Sequence, residues 1–286
     1  MPQGFRVQVP GSAFGQLLVL GSVVLTSLQN PLVKQIRKLH SAKERHKQQL
    51  FVLEGTHLIT EACSVNYPLE TVCCTMDWQN SHSELWQNVC NACHRTEIVS
   101  QEVLASMATT VQPDGVVAMV KRCEENPIPM TGLALALETI QDPGNLGTII
   151  RTAAAVDASG LWLSNDSVDL DHPKVLRASA GQWFRLKKQV SHNLKDTVQD
   201  CQRGGMQVVA TLPTAELTYW QVDWSLPSLI LLGNEGAGLS DELATMANIQ
   251  VKIPLSPQVE SLNVAISASL ILYEAQRQKT CGKNTN

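Results

Sequence analysis

Three glycine-containing segments in the second half of the chain carry the polar side chains best suited to chemistry. The first spans residues 141–151 and ends in Arg151. Its glycines, Gly144 and Gly147, let a ligand approach the backbone, and the start of the following helix offers free N–H groups to an anion. Arg151 lies among small and apolar residues, where a guanidinium needs a carboxylate or phosphate partner. The residues alone leave two interpretations open: Arg151 forms a buried structural ion pair, or it contacts an anionic substrate. When Arg151 is considered by itself, the structural ion pair is favoured.

The second segment, residues 231–240, has three glycines within six residues directly after a predicted strand. Its Gly236-Ala237-Gly238 sequence begins like a dinucleotide fingerprint, but Asp241 stands where the third glycine belongs, which disfavours a nicotinamide site. The third segment, residues 253–263, leads into small residues that permit another backbone to approach closely. Ordinary core packing explains each of these features when it is taken separately.

The elements that must position these segments alternate between strand and helix. Apolar runs predict strands buried on both faces, and a turn at 142–145 places Asn145 as the cap of a helix that runs through Ala155. The predicted strands cover residues 133–140, 161–163, 208–210, 229–232 and 251–255, and a long helix covers residues 262–278. Such alternation is typical of a mostly parallel sheet with helices on both faces, in which ligands bind at the carboxyl ends of the strands.

The first half of the chain predicts a smaller α/β unit with a basic surface. Residues 34–47 hold six basic residues and one acid, and Lys34, Arg37 and Lys38 share one helical face through their spacing. This face is either an ordinary solvated surface or a patch that contacts phosphates. The predicted strands of this unit cover residues 51–55, 71–74 and 115–120, and a helix begins at Thr56.

A polar segment with two prolines, residues 122–130, predicts the boundary between the two units, because proline disfavours the interior of helices and strands. We therefore expect a loosely ordered extension at 1–23, a first domain at 24–121, a linker at 122–130 and a second domain at 131–286.

Composition limits the function classes further. Of the 286 residues, 17% are charged and the net charge is −4, which excludes a globally basic nucleic-acid coat but not a local basic patch. Eight cysteines are too sparse for a disulfide scaffold and are typical of reduced thiols. The apolar stretch at 17–25 is too short to cross a bilayer. Residues 27–29, which follow it, are a poor match to the cleavage site of a signal peptide. We expect a cytoplasmic protein.

Residues 90–94 read Cys-Asn-Ala-Cys-His, which matches the attachment pattern of haem c. Haem attachment needs export and a second axial ligand, and the start of the chain gives no convincing export signal. A zinc site would need a second cysteine pair with suitable spacing, and the adjacent Cys73 and Cys74 are poor tetrahedral partners. We therefore expect a chance match and no metal site.

Taken together, the three segments resemble the three motifs of the SpoU/TrmH-type RNA ribose 2′-O-methyltransferases, which belong to the SPOUT superfamily. The residues that carry the resemblance are, in order, Asn145-x-Gly147-x-x-x-Arg151-Thr-Ala, Gly233-Asn-Glu235-Gly236-x-Gly238-Leu, and Ile253-Pro followed by Glu260-Ser261-Leu262-Asn263-Val. The first half resembles, more loosely, the RNA-binding module of many members, through residues 27–31, the basic helix and residues 51–55. The extension before Leu25 has no counterpart in the family.

The resemblance implies an α/β fold with a knotted, parallel-sheet catalytic domain of the SPOUT type, preceded by a small α/β RNA-binding domain. It implies a homodimer and, as cofactor, S-adenosylmethionine held largely by main-chain groups in the knot. The implied activity is methylation of a ribose 2′-hydroxyl in ribosomal or transfer RNA, and the accessory module favours ribosomal RNA. A non-catalytic RNA-binding protein that has kept the fold is the alternative, which the intact motifs disfavour. Neither DNA nor a membrane is an expected partner.

The resemblance also implies roles for individual residues. The implied catalytic residues are Arg151, Asn145, Glu235, Ser261 and Asn263. The implied cofactor contacts are Thr211, Leu212, Gly233, Ile253 and Leu262. The RNA contacts that we predict are Lys34, Arg37, Lys38 and Arg45 in the basic segment, and Arg177 and Ser179, for which packing is an equal alternative.

In the family, the arginine that matches Arg151 is thought to activate the 2′-hydroxyl. A guanidinium resists deprotonation because its pKa lies above about 12, so a bidentate clamp on the adjacent phosphate is the simpler role. Asn145 would orient the ribose or the arginine, and Ser261 and Asn263 would complete the site. Glu235 would favour the cationic sulfonium of the cofactor electrostatically.

Replacement of Lys34, Arg37 and Lys38 by alanine should weaken RNA binding and flatten its dependence on salt, because fewer counterions are released. The affinity for S-adenosylmethionine should stay the same. Titrations of RNA at several salt concentrations measure both effects, and unchanged RNA binding would favour the solvated-surface interpretation.

Overall fold

The computed structural model describes residues 24–123 and 127–283, and the predicted extension at 1–23 lies outside them. Within these residues the strands form one sheet of four strands and one of seven. The helices are α1 Pro31–Lys38, α2 Ala42–Gln48, α3 Thr56–Ser64, α4 Met76–Ser81, α5 Ser83–Ala92, α6 Gln101–Met107, α7 Pro143–Ala155, α8 Pro173–Ala178, α9 Leu194–Arg203, α10 Asp241–Met246 and α11 Val264–Lys283. The strands are β1 Leu50–Glu54, β2 Leu69–Cys74, β3 Cys93–Ile98, β4 Val116–Lys121, β5 Leu133–Leu137, β6 Gly160–Ser164, β7 Lys188–Ser191, β8 Gln207–Thr211, β9 Leu217–Thr218, β10 Ser228–Leu232 and β11 Ile249–Lys252.

The four-stranded sheet has the strand order β1-β4-β2-β3. Strand β4 pairs antiparallel with β1 and β2, and β2 pairs parallel with β3. The three strands predicted for the first half are confirmed, with ends that differ by at most two residues. Strand β3 is not predicted by the pattern, because its residues at the edge of the sheet are mostly polar and form no apolar run.

The basic segment forms two helices, α1 and α2, that are separated by a turn at residues 39–41. Asn30 caps α1 by accepting a hydrogen bond from the N–H of Leu32 at 2.9 Å, and Pro31 takes the first helical position. The apolar face of α1 packs into the core, whereas Lys34, Arg37 and Lys38 are exposed. The prediction that these three cations share a solvent-facing surface is confirmed.

The seven-stranded sheet is parallel throughout and has the order β7-β6-β5-β10-β8-β11-β9. Every residue of β5 is buried, because alternate side chains enter two different core layers. Its three leucines pack with α7 and α11 on one face, and Ala134 and Ala136 pack with α9 and α10 on the other. The predicted parallel sheet with helices on both faces is confirmed.

Several element boundaries differ from the sequence pattern for local reasons. Strands β7 and β9 lie at the two edges of the large sheet and have no apolar run, so the pattern does not predict them. Strand β11 ends at Lys252 rather than at residue 255, because Pro254 cannot donate to the ladder. Helix α11 begins at Val264 and extends to Lys283. Within 24–123 and 127–283, no helix has both the length and the apolar character to cross a membrane.

Helix α7 is capped by Asp142 and not by Asn145, so that prediction is wrong. The carboxylate of Asp142 accepts hydrogen bonds from the N–H groups of Gly144, at 2.6 Å, and Asn145, at 3.0 Å. Pro143 takes the first helical position, which suits its fixed φ and missing N–H. Because Asp142 makes the cap, the side chain of Asn145 is available for contacts outside the helix. The helix ends at Ala155, as predicted.

Gly147 is buried where α7 packs against α8. A Cβ at this position would lie 2.5 Å from the Cβ of Ala178 and 2.8 Å from the carbonyl oxygen of Val175. The missing side chain therefore lets two helices pack closely. Our interpretation of Gly147 as a point of backbone approach to a ligand is wrong.

We expect Gly147→Ala to lower the free energy of unfolding by about 1–3 kcal/mol, because the added methyl group forces α8 away from α7. Urea denaturation measures this. Gly236→Ala is the control, since its Cβ would lie 3.5 Å from Asn234 Oδ1 in an ordinary contact, and it should change stability by less than about 0.5 kcal/mol. A Gly147→Ala protein as stable as the wild type would contradict the packing argument.

Candidate active site

A cavity of about 320 Å³ opens at the carboxyl ends of β8, β10 and β11. It is the place where a parallel sheet is expected to bind a ligand. All five residues implied as cofactor contacts line it, namely Thr211, Leu212, Gly233, Ile253 and Leu262. The structure thus brings together residues from three separate segments, and their contact with a cofactor stays a prediction.

The loop that follows β10 forms one wall of this cavity and is fixed by its own hydrogen bonds. Asn234 and Gly238 exchange two backbone hydrogen bonds of 2.9 and 3.0 Å. The side-chain oxygen of Asn234 accepts from the N–H groups of Gly236 and Ala237, and its amide nitrogen donates to the carbonyl of Thr139 at 2.8 Å. A Cβ on Gly233 would lie 2.2 Å from the Gly238 backbone, so only glycine permits this closed loop.

A hydrogen-bonded network of three implied catalytic residues lies beside the cavity. The carboxylate of Glu235 accepts from Asn145 Nδ2 at 3.0 Å and from the backbone N–H groups of Asp142, at 3.1 Å, and Gln141, at 3.2 Å. Asn145 Oδ1 in turn accepts from Asn263 Nδ2 at 2.9 Å. The side-chain oxygen of Asn263 accepts from two N–H groups in the first turn of α11. Side chains from three distant segments therefore form one continuous chain of hydrogen bonds.

The carboxyl group of Glu235 is held in its ionised form. Burial disfavours the charge, but the hydrogen bonds from Asn145, Asp142 and Gln141 outweigh it and keep the pKa of Glu235 below its usual value. The network therefore places a fixed negative charge next to the cavity.

Arg151 does not join this network. It lies six residues beyond Asn145 in α7, about 9 Å further along the helix axis and on another face. Its side chain is exposed and makes no hydrogen bond or ion pair with any residue in the described ranges 24–123 and 127–283. The buried ion pair, the structural alternative for this residue, is therefore wrong. Ser261, the remaining implied catalytic residue, lines the cavity.

Two of the predicted RNA contacts are buried, which corrects their assignment. The side chain of Arg45 is 1% exposed and that of Ser179 is fully buried, so neither can reach an RNA phosphate. Ser179 donates its hydroxyl to the carbonyl of Leu176. Arg177 donates to Glu54 at 3.1 Å and to the hydroxyl of Thr109, so its guanidinium serves a protein contact.

The groove between α1 and α2 keeps its predicted basic character. Lys34, Lys38 and Lys47 line it, and Arg37 is exposed on the same helix. Of the cysteine motif, Cys90 lies in α5, and Cys93 and His94 begin β3. Among residues 24–123 and 127–283, no three His, Cys, Asp or Glu side chains are grouped to hold a metal ion.

Comparisons with known proteins agree with this geometry. Residues 132–273 match the SpoU rRNA Methylase family, and residues 30–118 match the MRM3-like substrate binding domain. An uncharacterised tRNA/rRNA methyltransferase of Synechocystis sp. is 45% identical over 89% of this chain and 94% of its own. The 23S rRNA (guanosine(2553)-2′-O)-methyltransferase of Bacillus subtilis is 30% identical over 87% of this chain and 97% of its own. The structure of an AdoMet-bound rRNA methyltransferase from Sinorhizobium meliloti aligns with a TM-score of 0.79 and 32% identity, over 88% of this chain and 97% of that chain.

The chain belongs to the SpoU methylase family. The family resemblance carried by the three motifs is confirmed. The expected α/β class is also confirmed, with a smaller domain that precedes a catalytic domain built on a parallel sheet. The implied knot, which concerns how the chain threads through its own loops, stays a prediction.

The SpoU site also contains groups that the motifs do not reveal. The N–H groups of Gln141 and Asp142 hold Glu235, and backbone donors have no sequence signature. The Asp142-Pro143 pair is a recognisable helix start that could have identified the cap. Asn234 followed by glycines is a similar signal for the turn that it stabilises.

Thr211 offers a test of whether the cavity fits a polar ligand. Its hydroxyl oxygen is buried and has no hydrogen-bond partner among the described residues, whereas buried polar groups are normally paired. Thr211 lines the cavity, so a ligand with a polar group there would satisfy it. The cavity therefore fits the S-adenosylmethionine that the resemblance implies.

We expect Thr211→Val to act with opposite signs on stability and on binding. Without ligand, the variant should be more stable by about 1 kcal/mol, since an unsatisfied hydroxyl is removed and the shape is kept. Its affinity for S-adenosylmethionine should fall, because the ligand loses a hydrogen bond. Thermal unfolding and calorimetric titration measure the two effects. Unchanged affinity would show that the hydroxyl does not face the ligand.

Proposed function

We propose that this SpoU protein is a homodimer that transfers the methyl group of S-adenosylmethionine to a ribose 2′-hydroxyl of ribosomal RNA in the cytoplasm. The observation that carries the proposal is the juxtaposition of one cavity, lined by all five implied cofactor residues, with the ionised network of Glu235, Asn145 and Asn263. The same observation disfavours a non-catalytic RNA-binding protein, because such a protein has no need of a fixed carboxylate beside its cavity.

The residues around the cavity act mainly by binding and orientation. S-adenosylmethionine, when bound, supplies an electrophilic methyl group on a cationic sulfonium. The closed loop at 233–238 presents backbone groups to the cavity, which suits recognition without specific side chains. The negative charge of Glu235 favours a cation nearby, and its three hydrogen bonds fix where that charge lies.

Arg151 is suited to hold the RNA substrate rather than to remove a proton. Its guanidinium is exposed and has no partner among the described residues, so both of its forked N–H pairs can bind the phosphate next to the target ribose. A phosphate held in this way orients the 2′-hydroxyl for in-line attack on the methyl group. The guanidinium keeps its proton throughout. As the 2′-oxygen bonds to the methyl group, the bond from that group to the cofactor's sulfur breaks, and the hydroxyl proton leaves late to the phosphate or to water.

The first domain supports ribosomal RNA as the substrate. It matches a substrate binding domain over residues 30–118, and its basic groove lies on the outside of α1 and α2. The Bacillus subtilis relative that aligns over both domains methylates 23S rRNA according to its name, and the Sinorhizobium meliloti structure is that of an rRNA methyltransferase. We therefore propose that the first domain of this chain binds ribosomal RNA.

An exposed apolar stripe on α11 supports the homodimer. Ile266, Leu270 and Tyr273 recur at helical spacing and are 50%, 37% and 55% exposed. Leu255 and Leu262, which line the cavity, are exposed apolar residues as well. A soluble chain rarely leaves such a continuous stripe uncovered, and a second copy of this chain would bury it.

The position of Arg151 also fits a dimer. Helices α7 and α11 pack together, with Thr152 Oγ1 3.4 Å from Ser269 Oγ, so the exposed Arg151 directly precedes a residue that contacts the helix with the apolar stripe. In its own chain Arg151 is not among the residues that line the cavity. We infer that Arg151 of one protomer serves the cavity of its partner.

Mapping of 2′-O-methyl groups in RNA from cells with and without the protein tests the proposed function. We expect one ribosomal site to lose its methyl group when the protein is absent, and purified protein to restore it with S-adenosylmethionine. Loss of a methyl group from transfer RNA alone would overturn the choice of substrate. An unchanged methylation pattern, together with tight RNA binding, would favour the non-catalytic alternative.

We expect Arg151→Ala to reduce methyl transfer by a factor of about 100 or more, because the substrate is no longer held in line. The melting temperature and the affinity for S-adenosylmethionine should stay close to those of the wild type, since the side chain is exposed and unpaired. Arg151→Lys should also be nearly inactive if bidentate geometry matters, because lysine keeps the charge and loses the planar fork. A substantially active lysine variant would show that charge alone suffices.

Mixed dimers of Arg151→Ala and Gly233→Val protomers distinguish action across the dimer from action within one chain. If Arg151 serves the partner's cavity, the mixed dimer keeps one working site, although each homodimer is inactive. If Arg151 acts within its own chain, the mixed dimer is inactive as well.

A further inference from the structure

The two domains share a packed aromatic contact. Phe51 in β1 lies with its ring centroid 5.2 Å from that of Trp183, and Tyr67 lies 5.2 Å from Phe184. Trp183 is only 7% exposed, and its core layer contains residues of both sheets. The two sheets are therefore joined by a continuous hydrophobic core and not only by the linker at 122–130.

A buried ion-pair network lies beside this core and joins α2 to the second domain. Arg45 donates two hydrogen bonds to Asp169 Oδ2, at 2.7 and 2.9 Å. Arg122, in the predicted linker, donates to Asp169 Oδ1 at 3.2 Å and also to Asp171. The side chains of Arg45, Asp169 and Arg122 are 1%, 13% and 18% exposed, so solvent screens these pairs weakly. Removal of Asp169 would leave Arg45 without a carboxylate partner and Arg122 with Asp171 alone.

Two further pairs join other elements of the first domain to the segment around α8. Glu54 at the end of β1 accepts from Arg177, and Glu61 in α3 accepts from Arg185. Arg185 also donates to Ser64 at 3.0 Å. The α2, β1 and α3 elements are thus each tied to residues 169–185, so a rotation about the linker would have to break several of these contacts at once.

The same network also fixes the basic groove itself. The Nη1 atom of Arg45 donates to the carbonyl oxygens of Leu39, at 3.0 Å, and His40, at 2.9 Å, which form the turn between α1 and α2. That turn determines how α1 and α2 lie relative to each other, and the groove lined by Lys34, Lys38 and Lys47 lies between them. One guanidinium therefore connects the groove to the catalytic domain.

We propose that this protein selects its target nucleotide by a fixed spacing between the basic groove and the transfer site, and that Arg45, Asp169 and Arg185 are the positioning residues that maintain it. The proposal rests on the proposed function. The substrate class that it implies is a folded RNA, in which a second phosphate-rich element lies at a set distance from the target ribose. A short oligonucleotide with only the target and its immediate neighbours lacks this second element.

The test compares two RNAs with three full-length proteins. The RNAs are a transcript of the folded domain that contains the mapped target, and a short oligonucleotide with only the target and its immediate neighbours. The proteins are the wild type, the loosened variant Asp169→Asn/Arg185→Glu, and the control Asp200→Asn/Arg203→Glu. The control makes the same substitutions in an ion pair that lies within α9 and joins no domains.

We expect the loosened variant to bind the transcript about tenfold more weakly than the wild type and to methylate it with a kcat/KM lowered by a similar factor, because two linked contacts lose their mutual alignment. Binding and methylation of the oligonucleotide should stay unchanged, and small-angle scattering should show greater domain separation. The control should match the wild type throughout.

Equal binding of the transcript by all three proteins, with separated domains in the loosened variant, would overturn the proposal. An equal loss of binding and methylation on both RNAs would also overturn the proposal, because it would indicate damage to the transfer site. Absence of methylation by the wild type would contradict the proposed function instead, and the binding measurements would still decide the question of spacing.

If the loosened variant does not fold, the single variant Arg185→Glu replaces it. The side chain of Arg185 is 40% exposed, so this substitution should destabilise the fold less. Addition of Glu61→Arg reverses the pair and should restore transcript binding to the wild-type value. Compact domains without restored binding would overturn the proposal.

Discussion

The carboxylate of Glu235 is the interaction on which the arrangement of the active site depends. It joins the loop after β10 to the first turn of α7, and through Asn145 and Asn263 it also reaches the start of α11. The three bonds that Glu235 itself accepts are strongest when its carboxylate is ionised. The depressed pKa of Glu235 means that this stabilisation is complete above the pKa of the unfolded chain and is lost as the pH falls through the folded value. A single charge thus aligns the segments that surround the cavity.

This alignment is possible because the large sheet is parallel throughout. Parallel pairing brings the carboxyl ends of β5, β8, β10 and β11 to one edge, so the loops that follow them meet although they are far apart in the sequence. The two core layers on either side of β5 hold these strands in place. Glycine at position 233 then allows the loop to close on itself, where any side chain would collide with the Gly238 backbone.

The contact between the domains has a different character. It combines aromatic packing with ion pairs that are shielded from solvent, and it uses two arginines, Arg45 and Arg177, that the sequence presents as possible RNA contacts. Buried ion pairs are expensive to desolvate and contribute little net stability, but a shifted domain would leave charges unpaired, which is strongly unfavourable. The interface is therefore better suited to fixing geometry than to adding stability.

The sequence by itself determined the family, the parallel α/β architecture and the residues that surround the cavity. These depend on local properties: apolar runs of strand length, helix starts, and motifs whose glycine and polar residues keep a fixed order. It also predicted correctly that Lys34, Arg37 and Lys38 face solvent, because helical spacing alone decides that.

Tertiary structure decided what each charged or small residue contacts. Gly147 permits helix packing and not ligand approach, Asp142 and not Asn145 caps α7, and Arg45 and Ser179 are buried, whereas Arg151 is exposed and unpaired among the described residues. Apart from the cap, which the Asp142-Pro143 pair could have identified, these outcomes are not encoded in a window of neighbouring residues. The partners of Arg45 and Asn145, Asp169 and Glu235, lie 124 and 90 positions away, so only the assembled fold brings them within hydrogen-bond distance.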